Sequence, residues 1–217
     1  MEEGRWGVIV VDVQGDFTTC KGGPLAVPDS DEEYVVEVEK ATRRLKEGGF
    51  VIIGTQDWHP ADHVSFFSNH QGMKPYETIS IGGRMQTLWP PHCIQGSPGA
   101  DIVVDKALFD AVIRKGLHKD FDSYSGFEDD RGVKTGLDEV LRELGVGRIL
   151  VFGIATDYCV RATAIHGIDY GYRVVVVEGL CRGVAPDTTE AALREMEERG
   201  VVVVREIKNA PIPLEVS

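Results

Sequence analysis

Short apolar runs alternate with helical stripes along this chain, and this alternation limits the fold more than any other feature of the sequence. The runs are rich in valine and isoleucine and end in polar turns, which is typical of strands buried on both faces of a sheet. They cover residues 6–13, 51–55, 148–153, 173–177 and 201–204. Strands that alternate with helices need crossover connections, so we expect an α/β fold with a mostly parallel sheet between helices.

The segments between these runs carry apolar residues at helical spacing. One stripe extends from Val35 to Leu45 and another from Leu137 to Leu144, which predicts two amphipathic helices. The sequence Asp187-Thr-Thr-Glu190 matches a capping box. We therefore expect a third helix to begin there and to end at Gly200.

The size and net charge of the chain limit the classes of protein to which it could belong. The chain has 217 residues and 42% hydrophobic content, which suits one domain over residues 1–217. Its net charge of -12 repels phosphate backbones and anionic membranes, so we expect neither nucleic acid nor membrane as a partner. No apolar run approaches the roughly 20 residues that span a bilayer. Together with four scattered cysteines, which a reducing compartment keeps as thiols, this predicts a cytoplasmic location.

A long segment without clear periodicity, at about residues 57–98, separates the second strand from the middle of the chain. Asp57 and His59 follow that strand directly, and His63 and His92 come later in the segment. Imidazole and carboxylate suit Zn, Mn or Fe, and three protein ligands leave positions open for water or substrate. A single histidine here is more often a packed or solvated residue, but the clustering favours a metal site. His63 is a candidate fourth ligand, whereas Cys93 is interpreted as structural.

Two charged residues lie at the ends of apolar runs, where an unpaired charge is costly. Asp12 closes the first predicted strand, and Lys115 follows Ala111-Val-Ile-Arg. Lys115 could supply the charge that Asp12 needs. From these residues alone, a purely structural ion pair explains them equally well.

Cys159 lies between a predicted strand and the start of a helix. A helix N-terminus lowers the pKa of a thiol and offers free backbone N–H groups, so this position suits a nucleophile beside an oxyanion hole. The alternative is an inert, buried cysteine. That is our interpretation of Cys20 and Cys181.

Several of these segments, in their order and spacing, resemble nicotinamidases and pyrazinamidases of the isochorismatase-like hydrolase superfamily. The resemblance covers nearly the whole chain. Its segments are Val11-Asp12-Val13-Gln14, Thr55-Gln-Asp57-Trp-His59-Pro, Leu88-Trp89-Pro-Pro-His92-Cys93, Lys115-Gly116, Tyr124-Ser-Gly-Phe127 and Gly153-Ile-Ala155-Thr-Asp-Tyr-Cys159-Val. Superfamily members that hydrolyse isochorismate or carbamoyl compounds generally lack the metal motif, which favours the nicotinamidase branch.

The resemblance implies a three-layer α/β/α sandwich with a six-stranded sheet in the order 3-2-1-4-5-6, and a role for each matched residue. Asp12, Lys115 and Cys159 take the positions of a catalytic triad, and Asp57, His59 and His92 those of metal ligands. Phe17, Trp89 and Tyr124 match aromatic residues that bind substrate. Ala155 and Cys159 match the oxyanion-hole donors, and a cis peptide bond falls between Ile154 and Ala155.

The activity implied by the resemblance is metal-dependent hydrolysis of nicotinamide, and of pyrazinamide, to the acid and ammonia through a thioester, in NAD salvage. One divalent ion is expected, with Zn favoured and Mn or Fe as alternatives. The partner is the small-molecule substrate, and assembly into a homo-oligomer is left open. One rival is an amidase of the same superfamily that acts on a ureido or carbamoyl compound. Another is a non-catalytic metal-binding or redox-sensing protein, which leaves Asp12 and Lys115 without a role.

Overall fold

The protein contains a six-stranded parallel sheet. The computed structural model describes residues 4–213, and the remaining residues of the predicted 1–217 domain lie outside that range. The sheet strands are β1 Arg5–Val11, β2 Val51–Asp57, β5 Ala111–Lys115, β6 Val146–Ile154, β7 Arg173–Arg182 and β8 Val202–Val204. Their order is β5-β2-β1-β6-β7-β8, and each neighbouring pair is parallel. Counted along the chain, this is the predicted 3-2-1-4-5-6.

Within residues 4–213, four α-helices flank the sheet, as the alternation in the sequence predicts. They are α1 Glu32–Glu47, α2 Leu137–Glu143, α3 Arg161–Asp169 and α4 Pro186–Glu198. The helix α1 packs on β1 and β2, whereas α3 packs on β6, β7 and α4. The three-layer α/β/α arrangement is thus confirmed. Within the described part of the chain, no helix is long and apolar enough to cross a membrane.

The central strands are buried because they carry apolar side chains on both faces. Ile9 in β1 and Leu150 in β6 are each fully buried. A parallel sheet covered by helices needs this pattern, since neither face contacts water. The core thus lies under the middle of the sheet and leaves its carboxyl edge to polar residues.

Two details differ from the sequence-based expectations. The segment at about 57–98 contains a β-hairpin, β3 Thr78–Ile81 and β4 Arg84–Thr87, which was not predicted. Its strands are short and largely exposed, so they lack the apolar signature of the sheet strands. In addition, α4 begins at Pro186 and not at a cap formed by Asp187: its N-cap is Ala185, which makes no side-chain capping bond. The capping-box prediction was therefore wrong.

Candidate active site

Charged side chains from three strands and a cysteine from a fourth meet at the carboxyl edge of the sheet. Asp12 follows β1, Asp57 ends β2, Lys115 ends β5, and Cys159 lies shortly after β6. All four are buried. Because carboxyl ends of parallel strands converge at one edge, this is the usual position of active sites in such sheets.

Asp12, Lys115 and Cys159 form the first cluster, which we call the nucleophile group. Lys115 Nζ lies 3.0 Å from Asp12 Oδ2 and 3.5 Å from Cys159 Sγ. Thr55 Oγ1 donates to Asp12 Oδ1 over 2.6 Å, and the Asp12 N–H donates to Thr55 Oγ1 over 3.2 Å. Asp12 has a φ of 47°, in the left-handed region that is uncommon for a residue with a side chain. The structure thus brings together the three residues proposed as a triad.

Burial and neighbouring charges set the protonation of this group. Burial raises the pKa of Cys159 well above its ordinary value, although Lys115 acts in the opposite direction. The sequence-based expectation from the helix N-terminus did not include this burial, and the net shift of the pKa of the resting thiol is upward. Burial also raises the pKa of Asp12, against the effect of Lys115. For Lys115, burial is outweighed by Asp12 and Asp57, so its pKa is raised well above the usual range. The resting thiol is protonated and needs a base.

A tight turn presents Cys159. Residues Thr156–Val160 form one π-helical turn that leads directly into α3. The peptide bond between Ile154 and Ala155, just before this turn, is cis, as the resemblance predicted. Ala155 and Cys159, the two predicted oxyanion-hole residues, both line the same pocket.

Asp57, His59 and His92 form the second cluster, which we call the metal group. Each offers a ligand atom within 4.8 Å of the others, and all three are buried. His59 Nδ1 faces Gly116 O at 3.0 Å, and His92 Nδ1 faces Pro90 O at 2.8 Å. A carbonyl can only accept, so each Nδ1 carries a proton and Nε2 is the nitrogen that the neutral ring offers to a metal ion.

The chemistry of the metal group fits a divalent ion. His59 Nε2 is buried without a hydrogen-bond partner and lies 3.6 Å from Asp57 Oδ2. Burial together with His59 lowers the pKa of His92 to about 4, so its ring is neutral at neutral pH, as ligation requires. Burial opposes ionisation of Asp57, but Lys115 and His59 lower its pKa below the usual range. Burial lowers the pKa of His59, but Asp57 outweighs it and raises this pKa above its ordinary value, so the ring must lose its Nε2 proton when an ion binds. With that proton lost, two imidazoles and one carboxylate are a donor set that suits zinc.

Two residues that the sequence did not single out hold the metal group in place. Gln14 Oε1 accepts from the Asp57 N–H over 2.7 Å, and its Nε2 donates to Asp57 O over 2.9 Å. Gly116 lies so close to His59 that a Cβ would be 2.3 Å from Cε1 of that ring, and its φ of 66° also favours glycine. Both belong to segments that carry the resemblance, which gave them no role, and only tertiary contacts reveal what they do.

The two clusters share one ion pair. Lys115 Nζ lies 2.5 Å from Asp57 Oδ1 and also donates to Ser123 O over 2.7 Å. Asp57 therefore directs one oxygen to the nucleophile group and the other towards His59. This carboxylate links the two groups mechanically and electrostatically.

The remaining cysteines and His63 lie outside both clusters. His63 Nδ1 contacts Ser65 Oγ at 2.8 Å and its Nε2 contacts Phe121 O at 3.1 Å, so protein atoms occupy both ring nitrogens. Cys93 is buried and its Sγ accepts from Gln14 Nε2 at 3.3 Å. Cys181 is buried as expected, whereas Cys20 is exposed, which corrects its interpretation as a buried residue.

An aromatic pocket opens over Cys159. The predicted substrate-binding residues Phe17, Trp89 and Tyr124 all line it, together with Asp57 and His92. Trp89 Nε1 donates to the Tyr124 hydroxyl over 3.1 Å, which fixes the relative position of the two rings.

Tyr158 and Asp122 are among the wall residues of this pocket that were not predicted from the sequence. Tyr158 packs edge-on against Trp89, with ring centroids 5.3 Å apart. Asp122 is a buried carboxylate whose Oδ2 accepts from Gln86 Nε2 of β4 over 3.1 Å. Because Tyr158 directly precedes Cys159 in the sequence, it could have been predicted to lie beside the nucleophile. Nothing in the sequence around Asp122 gives a comparable signal.

The sheet and the two clusters at its carboxyl edge define an α/β protein whose candidate nucleophile is a cysteine, as expected of a cysteine hydrolase. Residues 7–207 match the isochorismatase domain. With that match over most of its length, the chain belongs to the isochorismatase family.

Within this family the chain is similar to nicotinamidases. It is 40% identical over 204 residues to the nicotinamidase of Escherichia coli, covering 90% of this chain and 92% of that protein. A nicotinamidase and pyrazinamidase from Acinetobacter baumanii has 38% identity, a TM-score of 0.82 and coverage of 92% and 95% of the two chains. A pyrazinamidase from Pyrococcus horikoshii in complex with zinc has 37% identity, a TM-score of 0.79 and coverage of 93% and 99%.

Proposed function

We propose that this protein hydrolyses nicotinamide to nicotinate and ammonia, and also accepts pyrazinamide. The observation that carries the proposal is that one aromatic pocket contains Cys159 together with Asp57 and His92 of the metal group. A flat heteroaromatic amide can lie between aromatic side chains while its carboxamide faces the thiol. The nicotinamidase and pyrazinamidase relatives support this substrate class.

We infer that a divalent ion, zinc in the first instance, is held by Asp57, His59 and His92. The orphaned His59 Nε2 and the zinc-bound pyrazinamidase relative support this. Such an ion supplies a Lewis-acidic anchor for the ring nitrogen of the substrate. Phe17 and Trp89 would hold the two faces of the ring, so the amide carbon is oriented over Cys159.

Asp12 serves as the base in the first chemical step. A carboxylate oxygen of Asp12 lies within 4.8 Å of Cys159 Sγ, so a modest adjustment permits proton transfer. As the thiol proton passes to Asp12, sulfur attacks the amide carbon, and Lys115 stabilises the negative charge on the group. The backbone N–H groups of Ala155 and Cys159 would bind the resulting oxyanion, where one such donor is worth about 3 kcal/mol.

Collapse of this adduct breaks the C–N bond. Asp12 returns its proton to the departing nitrogen, which leaves as ammonia, and a thioester remains on Cys159. A water molecule that loses its proton to Asp12 then attacks the thioester. The C–S bond breaks, the proton on Asp12 restores the thiol, and nicotinic acid leaves and ionises to nicotinate by losing its proton to water. The product suits salvage of the pyridine ring for NAD.

The test is ammonia release from nicotinamide by purified protein, before and after treatment with a chelator and re-addition of zinc. A simple ureido compound serves as the control substrate. We expect release from nicotinamide that disappears with the metal and returns with it. Release from the ureido compound alone would retain the cysteine chemistry but reject the substrate.

A further inference from the structure

One buried carboxylate beside the nucleophile has no part in the chemistry described above. Asp157 lies two residues before Cys159 in the π-helical turn and is only 5% exposed. Its Oδ1 accepts from the Val184 N–H over 3.0 Å, and its Oδ2 accepts from Thr188 Oγ1 over 2.5 Å. Within residues 4–213 the structure gives it no ion pair. A buried charge is retained at such a cost only where its hydrogen bonds matter.

These bonds attach the nucleophile turn to the beginning of α4. Thr188 is the third residue of that helix, whose N-cap Ala185 has no capping side chain. The negative charge of Asp157 therefore lies at the N-terminus of a 13-residue helix, where the helix dipole stabilises it. A residue 31 positions earlier in the chain thus binds a side chain in the first turn of this helix and the backbone just before it.

The same carboxylate also fixes part of the pocket rim. Val184 and Cys159 both line the pocket, and Asp157 bonds the backbone of one and belongs to the turn that carries the other. A change of about 1 Å in the position of a reacting group can cost roughly 100-fold in rate. Loss of these bonds would allow the turn and the rim to move apart by such amounts.

We propose that Asp157 is a positioning residue that holds Cys159 and the N–H groups of its turn in register with the substrate. It does so through Thr188 and Val184, and it touches neither the substrate nor the reacting atoms. The inference rests on the proposed amidase function. The placement of the thiol can also be tested without any amide substrate.

Two variants remove the contact from opposite sides. In Asp157→Asn the amide oxygen can still accept from the Val184 N–H. The amide nitrogen can only donate, so the bond from the Thr188 hydroxyl to a charged oxygen is lost, and only a neutral bond of reversed direction can replace it. In Thr188→Val the hydroxyl is lost from an exposed residue, so folding is preserved. Asp187→Asn is the matched control, because it removes the same charge from the first turn of α4 without a contact to the nucleophile turn.

The first readout is the split between kcat and KM for nicotinamide. We expect kcat to fall about 10- to 100-fold in Asp157→Asn and about 10-fold in Thr188→Val, with KM changed less than about 3-fold. The double variant should be no worse than Asp157→Asn alone, because both changes remove the same contact. Asp187→Asn should match the unaltered protein.

The second readout is the rate at which iodoacetamide alkylates Cys159, followed by mass spectrometry of its peptide. We expect this rate to differ from that of the unaltered protein in Asp157→Asn and Thr188→Val, but not in Asp187→Asn. If the unaltered protein released no ammonia from nicotinamide, the proposed function would fail while the alkylation result still decided the role of Asp157. A kcat within 2-fold of the unaltered protein in both contact variants, or an unchanged alkylation rate, would overturn the inference.

Discussion

The nucleophile group and the metal group lie in the same pocket, but they differ in how complete they are. Among the described residues, Asp12 Oδ2 of the nucleophile group and His59 Nε2 of the metal group are both buried without a hydrogen-bond partner. Asp12 Oδ2 nevertheless has a counter-charge, because Lys115 Nζ lies 3.0 Å away. The first cluster thus contains its own counter-ion, whereas we infer that the second is completed by a cation. Loss of the ion should therefore affect the two clusters unequally.

The largest expected effect is a loss of turnover without a loss of metal, after a substitution in the nucleophile group. Cys159→Ala should lower turnover by on the order of 10⁴-fold or more, because no other group can form the thioester. Metal content, measured by elemental analysis, should stay at the level of the unaltered protein. Cys20→Ala, at an exposed cysteine, is the control. Substantial turnover in Cys159→Ala would contradict the covalent mechanism.

The complementary substitution, in the metal group, should weaken metal binding. His59→Ala removes the ligand whose Nε2 is orphaned, so zinc affinity should fall by at least about 100-fold in a competition titration with a chromophoric chelator. His118→Ala, at an exposed histidine, should bind zinc as the unaltered protein does. Equal zinc affinity in both variants would place the ion elsewhere.

A third change tests Asp12 as the base through pH dependence. Asp12 must be ionised to accept a proton, so activity should fall as the pH drops through its raised pKa. The Thr55 hydrogen bond lowers that pKa. Thr55→Val should therefore move the acid limb of kcat/KM to higher pH and lower kcat about 10-fold, as expected for a lost bond to a charged group. A limb that moved to lower pH would exclude Asp12 as the titrating group.

The smallest expected effect concerns the pocket wall that both clusters share. Tyr124→Phe removes the acceptor of the Trp89 Nε1 hydrogen bond but keeps the ring. Loss of one neutral hydrogen bond costs about 1 kcal/mol, so KM for nicotinamide should rise about 5-fold with little change in kcat. A larger fall in kcat than rise in KM would show that Tyr124 acts on the chemistry and not on the ring.

The sequence predicted most of the sheet because its strands are buried on both faces and so read as continuous apolar runs. It also predicted the clustered site residues, since each stands directly after a strand or in a recognised motif. The hairpin of β3 and β4 could not be predicted in this way, because its exposed strands lack that signature.

The contacts made by Asp157 were also beyond the sequence, for a different reason. Thr188 is 31 residues away, and no local pattern indicates that the two side chains meet. The raised pKa of Cys159 was also not foreseen, because the helix end was considered without burial, which is the largest cause of the shift. Unlike hydrophobic periodicity, tertiary contacts and desolvation cannot be predicted from a short stretch of the sequence.

The central claim is that Cys159 carries the acyl group during hydrolysis of nicotinamide. The most direct measurement is mass spectrometry of cysteine peptides after rapid acid quenching of the zinc-loaded protein during turnover of nicotinamide. Our account predicts a nicotinoyl thioester on Cys159 that is absent without substrate and absent from Cys93 and Cys181. Turnover with no adduct, or with an adduct on another cysteine, would contradict it.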